Sequence, residues 1–223
     1  DSEGIRQKGG KKGISKTKET SFVSDALRLM LITVIAGLLL GIVYTVTYEP
    51  IQAAQNAATI AAYKKVFPDA ADFKENPDSD KLIAADAASL AEQGFGNVMI
   101  DKVVDAVDAS GNVVGHIINA GSKDGYGGLV SISVGIQSDN KTVNGIAFLT
   151  IAESAGLGMN ARDTDWYKQF NGKKGEKFTV TKAGDGELDN DKINAISGAT
   201  ITSRAVTNSV NAALYFVNNG LNQ

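Results

Sequence analysis

Twenty consecutive residues without a charge, LMLITVIAGLLLGIVYTVTY from Leu29 to Tyr48, constrain this chain more than any other feature. At about 1.5 Å rise per residue, a helix of that length spans roughly 30 Å, the thickness of a bilayer core. Tyr44 and Tyr48 stand near its far end, where amphipathic aromatics favour the interface, and Arg28 closes its near end. Residues 1–28 carry seven basic and four acidic side chains among many Gly, Ser and Thr, the composition of a flexible basic arm. The positive-inside rule then predicts a cytoplasmic N-terminus. A cleavable signal peptide has a shorter apolar run and a small-residue cleavage site soon after it, whereas the charged, helix-prone stretch Glu49 to Lys65 follows here. The alternative of a buried core helix fails on size, because the remaining chain is too small to surround such a helix on all sides.

The expected organisation is a basic cytoplasmic arm at 1–25, a transmembrane helix at 26–48 and an extracytoplasmic domain at 49–223. Residues 49–223 hold 15 basic and 21 acidic side chains, so the two ends of the chain differ in charge sign. That segment is long enough for one domain with its own core. Composition excludes several chemistries: with no Cys there are no disulfides, Cys-ligated iron–sulfur clusters, thiolate zinc sites or Cys nucleophiles. The single His116 argues against a His-rich metal or haem site, and no metal site is expected. A net charge of -3 and a pI near 5.2 argue against nucleic acid as a partner.

The spacing of Ile51, Ala54, Ala58, Ile60, Ala61 and Val66 predicts a helix from Pro50 to Phe67, stopping before Pro68. Residues 69–97 show weak periodicity and read as loops with a short helix around Ser89 to Gln93. From Val98 the period becomes two. Val98–Asp108 and Val113–Ala120 flank the turn at 109–112, and Leu129–Gln137 and Thr142–Thr150 flank that at 138–141, two hairpins with β-branched strands. An antiparallel sheet of about four strands follows. Asp163–Phe170 reads as helical, Lys177–Thr181 as a short strand, and Ser203–Val217 as an amphipathic helix turning Val206, Val210, Ala213 and Phe216 inward. The class is α+β, a single N-terminal transmembrane helix followed by an antiparallel sheet packed by helices.

Three glycine-rich segments interrupt this scaffold. In the first, Asp124-Gly125-Tyr126-Gly127-Gly128, the glycines permit positive φ and close approach of a ligand, and Tyr126 offers a ring for stacking; a tight turn with a core-facing tyrosine reads equally well. The second, Glu153-Ser154-Ala155-Gly156-Leu157-Gly158, follows a strand and presents backbone N–H groups beside an apolar leucine, or simply connects a strand to a helix. The third, Ser197-Gly198-Ala199-Thr200-Ile201-Thr202-Ser203, places four hydroxyls ahead of the last helix, where the dipole and free N–H groups suit a phosphate. Helix capping accounts for Thr202 or Ser203 but not for the Ser-Gly-Ala-Thr before them.

The run SGATITS resembles the flavinylation motif of the FMN-binding domains in the G subunit of the Rnf complex and in the C subunit of the sodium-translocating NADH:quinone oxidoreductase. The 125–128 and 153–158 segments resemble that family's GYGG and ETPGLG elements in the same order, behind one N-terminal membrane helix. The resemblance implies covalent FMN on Thr200 through a phosphoester, with the phosphate near Ser197, Gly198, Ala199, Thr202 and Ser203. It places the isoalloxazine against Tyr126, Glu153, Ser154, Ala155, Gly156, Leu157 and Gly158, with Glu153 hydrogen-bonding a flavin edge or ribityl hydroxyl. The chain departs from the family at Asn194, usually Asp, and at Ala155, usually Pro. Trp166 reads as core and His116 as a surface or interface side chain.

A threonine hydroxyl is a poor nucleophile, so the linkage implies a flavin transferase that uses FAD and releases AMP. Redox chemistry then belongs to the flavin, and no catalytic side chain of the protein's own is expected. The implied role is an electron-transfer subunit of an ion-translocating ferredoxin:NAD+ oxidoreductase, partnered by other membrane subunits that carry iron–sulfur centres and flavins. The alternatives are the C subunit of the quinone-reducing complex, a free-standing flavin reductase of the cell envelope, and a non-redox extracytoplasmic binding or scaffold module.

Overall fold

The computed structural model describes residues 19–221, so residues 1–18 of the expected basic arm lie outside the described residues. The chain divides into two compact units, up to Ala54 and from Gln55 onward. Helix α1 (Glu19–Val66) supplies the described residues of the first and its last residues, 55–66, belong to the second; it includes the uncharged run, exposed along its apolar residues and long and apolar enough to cross a membrane. The helix expected at 26–48 and the one expected from Pro50 to Phe67 are one continuous helix. Pro50 sits inside α1, where it cannot supply the N–H that would meet the Val46 carbonyl, and the helix continues to Val66.

The second unit is built on a five-stranded antiparallel meander: β1 (Asp72–Glu75), β2 (Val98–Val107), β3 (Val113–Gly125), β4 (Gly128–Gln137) and β5 (Val143–Thr150), in the order β1-β2-β3-β4-β5. Both hairpins form where the alternation places them. The loop reading of 69–97 is corrected twice. Residues 72–75 add an edge strand to β2, and Ser79–Glu92 form helix α2, an alanine-rich segment of good helix formers that buries Leu90. Neither element is periodic enough to stand alone; each exists through what it packs on.

Both faces of the sheet are covered. On β4 the large Val130, Ile132, Val134 and Ile136 point to one core, which helix α4 (Thr200–Asn219) fills with Val206, Val210, Ala213 and Phe216. The alternate positions Ser131, Ser133 and Gly135 are small, and the end of α1 lies close over Gly135. Val66 and Phe67 would meet a Cβ on Gly135 at 2.7 and 3.0 Å, and Phe67 would meet one on Gly115 at 2.5 Å. A polar chain ties the same face, with Asn119 donating to the Tyr63 hydroxyl and accepting from Ser133.

Beyond β5 the chain forms a single turn, α3 (Asn160–Asp163), a 3-10 helix (Asp165–Phe170), and a parallel pair, β6 (Thr179–Thr181) with β7 (Lys192–Asn194). Strand β7 is absent from the sequence expectations, being three residues with no alternation. The last helix begins at Thr200, three residues ahead of the expected Ser203, and is buried more widely than one stripe because α2 and β6 also pack on it. Asn211 in α4 binds both backbone groups of Phe178, accepting from its N–H at 2.7 Å and donating to its carbonyl at 2.8 Å. That pairing fixes β6 against the helix.

Asp86 of α2 is 1% exposed, and neither carboxylate oxygen has a hydrogen-bond partner. Burial raises its pKa, so the folded state is penalised progressively as pH rises above the unfolded value, and the penalty is complete above the raised pKa. Below the unfolded value, about 4, both states are protonated and the penalty vanishes. Asp86→Asn is therefore expected to be about 1–3 kcal/mol more stable than the parent at pH 8, with the gap closing toward pH 4 in denaturant titrations. Equal stability at pH 8 contradicts the burial of an ionised Asp86.

Candidate functional site

Three loops meet at one end of the α4 helix. The turn between β3 and β4 brings Tyr126, the segment leaving β5 brings Glu153, Ser154, Leu157 and Gly158, and the chain after β7 brings Ala195 through Thr202. Together with Lys182 they line a cavity of about 560 Å3, the size of a small-molecule site. Glycines make the convergence possible. A Cβ on Gly127 would lie 2.0 Å from the Ala152 carbonyl oxygen, and one on Gly158 would lie 2.6 Å from Thr202 Oγ1 and 2.7 Å from the Glu153 carboxylate. No larger residue permits these loops to touch.

Of the residues singled out in the sequence, the cavity takes Tyr126, Glu153, Ser154, Leu157, Gly158, Ser197, Gly198, Ala199, Thr200 and Thr202. Ala155 and Gly156 stand outside its lining, at the exposed turn where Gly156 adopts φ +73°. Ser203 is fully buried beneath it. Its hydroxyl accepts from the Ile196 N–H and donates to the Ala199 carbonyl, both at 2.9 Å, stitching the loop to the first turn of α4. The hydroxyls thus differ sharply in access: Thr202 is 1% exposed, Thr200 is half-buried on the cavity, and Ser197 is exposed.

The electrostatics suit an anion with a polar edge. Ala199 occupies the cap position of α4 and brings no side-chain oxygen to the leading N–H groups, so the positive end of the helix borders the cavity. Lys182 is the one basic side chain of the lining among the described residues. The parallel register of β6 and β7 carries it there: Ala195 donates to the Thr181 carbonyl at 2.7 Å, which places Lys182 level with the start of the 195–202 segment. No sequence signal marks it, because that register is set by two three-residue strands. Glu153 Oε1 is buried without a hydrogen-bond partner, an acceptor aimed at a donor that the protein itself does not provide.

Asn194 prepares the 195–202 segment. Its side-chain oxygen accepts from Gly186 N–H at 2.8 Å, its own N–H donates to Gln169, and its carbonyl accepts from the Trp166 indole at 2.6 Å. Only the Gly186 bond uses the side chain, and it uses the oxygen as an acceptor, which an Asp also offers. Trp166 is partly buried against Phe170 and outside the cavity lining. His116 stands on β3, paired with Asp105 at 2.7 Å, also away from the cavity.

Residues 125–215, which contain every segment of the cavity, match the family model of the FMN-binding domain. Over 194 residues the chain is 32% identical to the G subunit of the Na(+)-translocating ferredoxin:NAD(+) oxidoreductase complex of Acetobacterium woodii, covering 86% of this chain and 90% of that protein. It is 30% identical over 204 residues to the G subunit of the ion-translocating oxidoreductase complex of Methanosarcina acetivorans, covering 92% and 97%. Among solved structures, Shewanella oneidensis NqrC covers 55% of this chain and 61% of its own at 21% identity and TM-score 0.45, a likeness too loose to argue from. A membrane-anchoring helix followed by a domain with an FMN-type site defines the class. The chain belongs to the family of G subunits of ion-translocating oxidoreductase complexes, the Rnf type.

The closure of the cavity depends on contact between the 125–128 turn and the strand end at Ala152. Gly127→Ala is expected to speed amide exchange at 125–128 and 153–158 by about tenfold or more while the protection of β3 and β4 stays unchanged. Unaltered exchange in both loops contradicts the contact.

Proposed function

We propose that this protein is a membrane-anchored electron-transfer flavoprotein, the G subunit of an ion-translocating ferredoxin:NAD+ oxidoreductase, carrying FMN as a phosphoester on Thr200. One observation carries the reading. Thr200 is the first residue of α4 and presents its half-buried hydroxyl at the cavity where all three glycine-rich segments and the helix N-terminus converge. Thr202 is too buried and Ser203 is already engaged on both sides.

The residues present fit the group. The helix N-terminus and Lys182 supply positive potential for a phosphodiester, and the unpartnered Glu153 Oε1 supplies an acceptor for a ring N–H or a ribityl hydroxyl. Tyr126, 73% exposed, and Leu157 offer flat and apolar surface at the mouth. In maturation the Thr200 oxygen attacks the FMN phosphorus of FAD, the bond to AMP breaks, and the hydroxyl proton passes to a base of the transferase. The bound flavin would supply one-electron and two-electron chemistry, and the protein sets its orientation and potential. The basic N-terminal arm favours a domain outside the cytoplasm, where a covalent bond prevents loss of a cofactor that no local pool replaces. The partners are the other membrane subunits of the complex, with their iron–sulfur and flavin carriers, and the flavin transferase.

Thr200→Val, coexpressed with the transferase, is expected to fold and to give a band without flavin fluorescence on a denaturing gel. Thr202→Val keeps the fluorescence, since that side chain is buried and valine matches its shape. Covalent flavin on the Thr200 variant contradicts the assignment.

A further inference from the structure

Lys173 follows the 3-10 helix and sends its ammonium into a different loop, the one joining β6 to β7. Nζ donates to the carbonyl oxygens of Gly186 at 2.7 Å, Asp189 at 3.0 Å and Lys192 at 2.7 Å, with the Asn190 carbonyl at 3.4 Å. An ammonium has three N–H groups, and there are three short contacts. The neighbouring carboxylates are engaged elsewhere: Asp185 and Asp189 both pair with the Lys192 ammonium, at 2.7 and 3.3 Å. Carbonyls converging on a cation are the arrangement by which proteins replace the hydration shell of a monovalent ion. Here the cation is tethered. Burial pulls the Lys173 pKa down, against the opposing charges of Asp189 and Asp191, and a neutral amine would bring only two N–H groups to the cage.

The cage holds the frame of the cavity described above. Gly186, whose carbonyl it takes, gives its own N–H to Asn194, and β7 leads through Asn194 directly into Ser197–Thr200. Without a cation, the inward-turned carbonyls repel one another and the loop loosens, which frees the Asn194 side chain from its bond to Gly186. A cavity of about 480 Å3 borders Lys173, Gly186 and Asn190, so a small solute can approach the Gly186 edge of the cage.

We propose that the carbonyl cage of Gly186, Asp189 and Lys192 is a cation site for a primary ammonium, filled by Lys173, and that Lys173 acts as a positioning residue for modification at Thr200. The second half rests on the reading of Thr200 as the attachment point; the first does not.

The test uses the full-length protein in detergent, purified from cells lacking the transferase, as Lys173→Ala and as Lys173→Met, which keeps the aliphatic stem. In both variants amide exchange across 186–196 is expected to be about 10- to 100-fold faster, with β3 and β4 still protected. Ethylammonium is expected to slow it again in the alanine variant, whereas tetramethylammonium, which has no N–H, is not. Loading by the transferase with FAD is expected to lose kcat with little change in KM for the protein, and to recover with ethylammonium. Unchanged exchange in both variants overturns the cage, as does equal rescue by the two ions or loss of β3 and β4 protection in both. Faster exchange with normal loading overturns the positioning role alone. A wild-type protein that never loads at Thr200 overturns the attachment reading and leaves the exchange result standing.

Discussion

Helix α4 lies inside the domain along almost its whole length, and its burial sets where the cavity forms. Val206, Val210, Leu214, Phe216 and Val217 are essentially inaccessible, and each such side chain stabilises the packed state by roughly 1.5–3 kcal/mol. A helix held on that many sides has no freedom to slide, so the position of its first turn is dictated by the sheet. Ser203 then fixes the preceding loop to that turn through the Ile196 N–H and the Ala199 carbonyl. The consequence is that Thr200, the first residue of the helix, is held at the cavity, with the exposed Ser197 just ahead of it.

The loops around that hydroxyl obey a second constraint, close approach. Gly127 and Gly158 stand where a Cβ would run into the Ala152 carbonyl and Thr202, so two surface loops can press against the start of α4 and leave the Glu153 carboxylate partly walled in. An acceptor with one oxygen unpartnered is costly in a stable domain, on the order of 1–3 kcal/mol or more for a charged group. That strain is understandable where a ligand completes the hydrogen bonding. Asp86 under α2 is likewise unpartnered, and there burial raises the pKa of the carboxyl.

Much of this was legible in the residues because it is written in short-range patterns. The alternation of β2 to β5, the apolar face of α4 and the uncharged run of α1 each depend on neighbours a few positions away, and all three stand where the pattern puts them. The glycine-rich segments were visible as composition, and the fold brings them to one cavity. What was illegible is set by distant partners. Strand β1 is the mostly polar DFKE, a strand only because β2 offers an edge; β7 is three residues paired to β6; Lys182 reaches the cavity through that pairing. The joining of the two expected helices across Pro50 was illegible as well, because helix on either side carries the chain through a residue that lacks the N–H of a regular turn.

The function proposed for this chain makes one chemical claim, a flavin phosphoester at Thr200. Trypsin cuts after Lys192 and Arg204, so the attachment point falls in the peptide Ile193–Arg204. The most direct measurement is the mass of that peptide, with fragmentation, from protein purified out of membranes of cells that make the transferase. The expected result is the addition of FMN less one water, localised to Thr200. An unmodified peptide, or the same mass localised to Ser197 or Thr202, contradicts it.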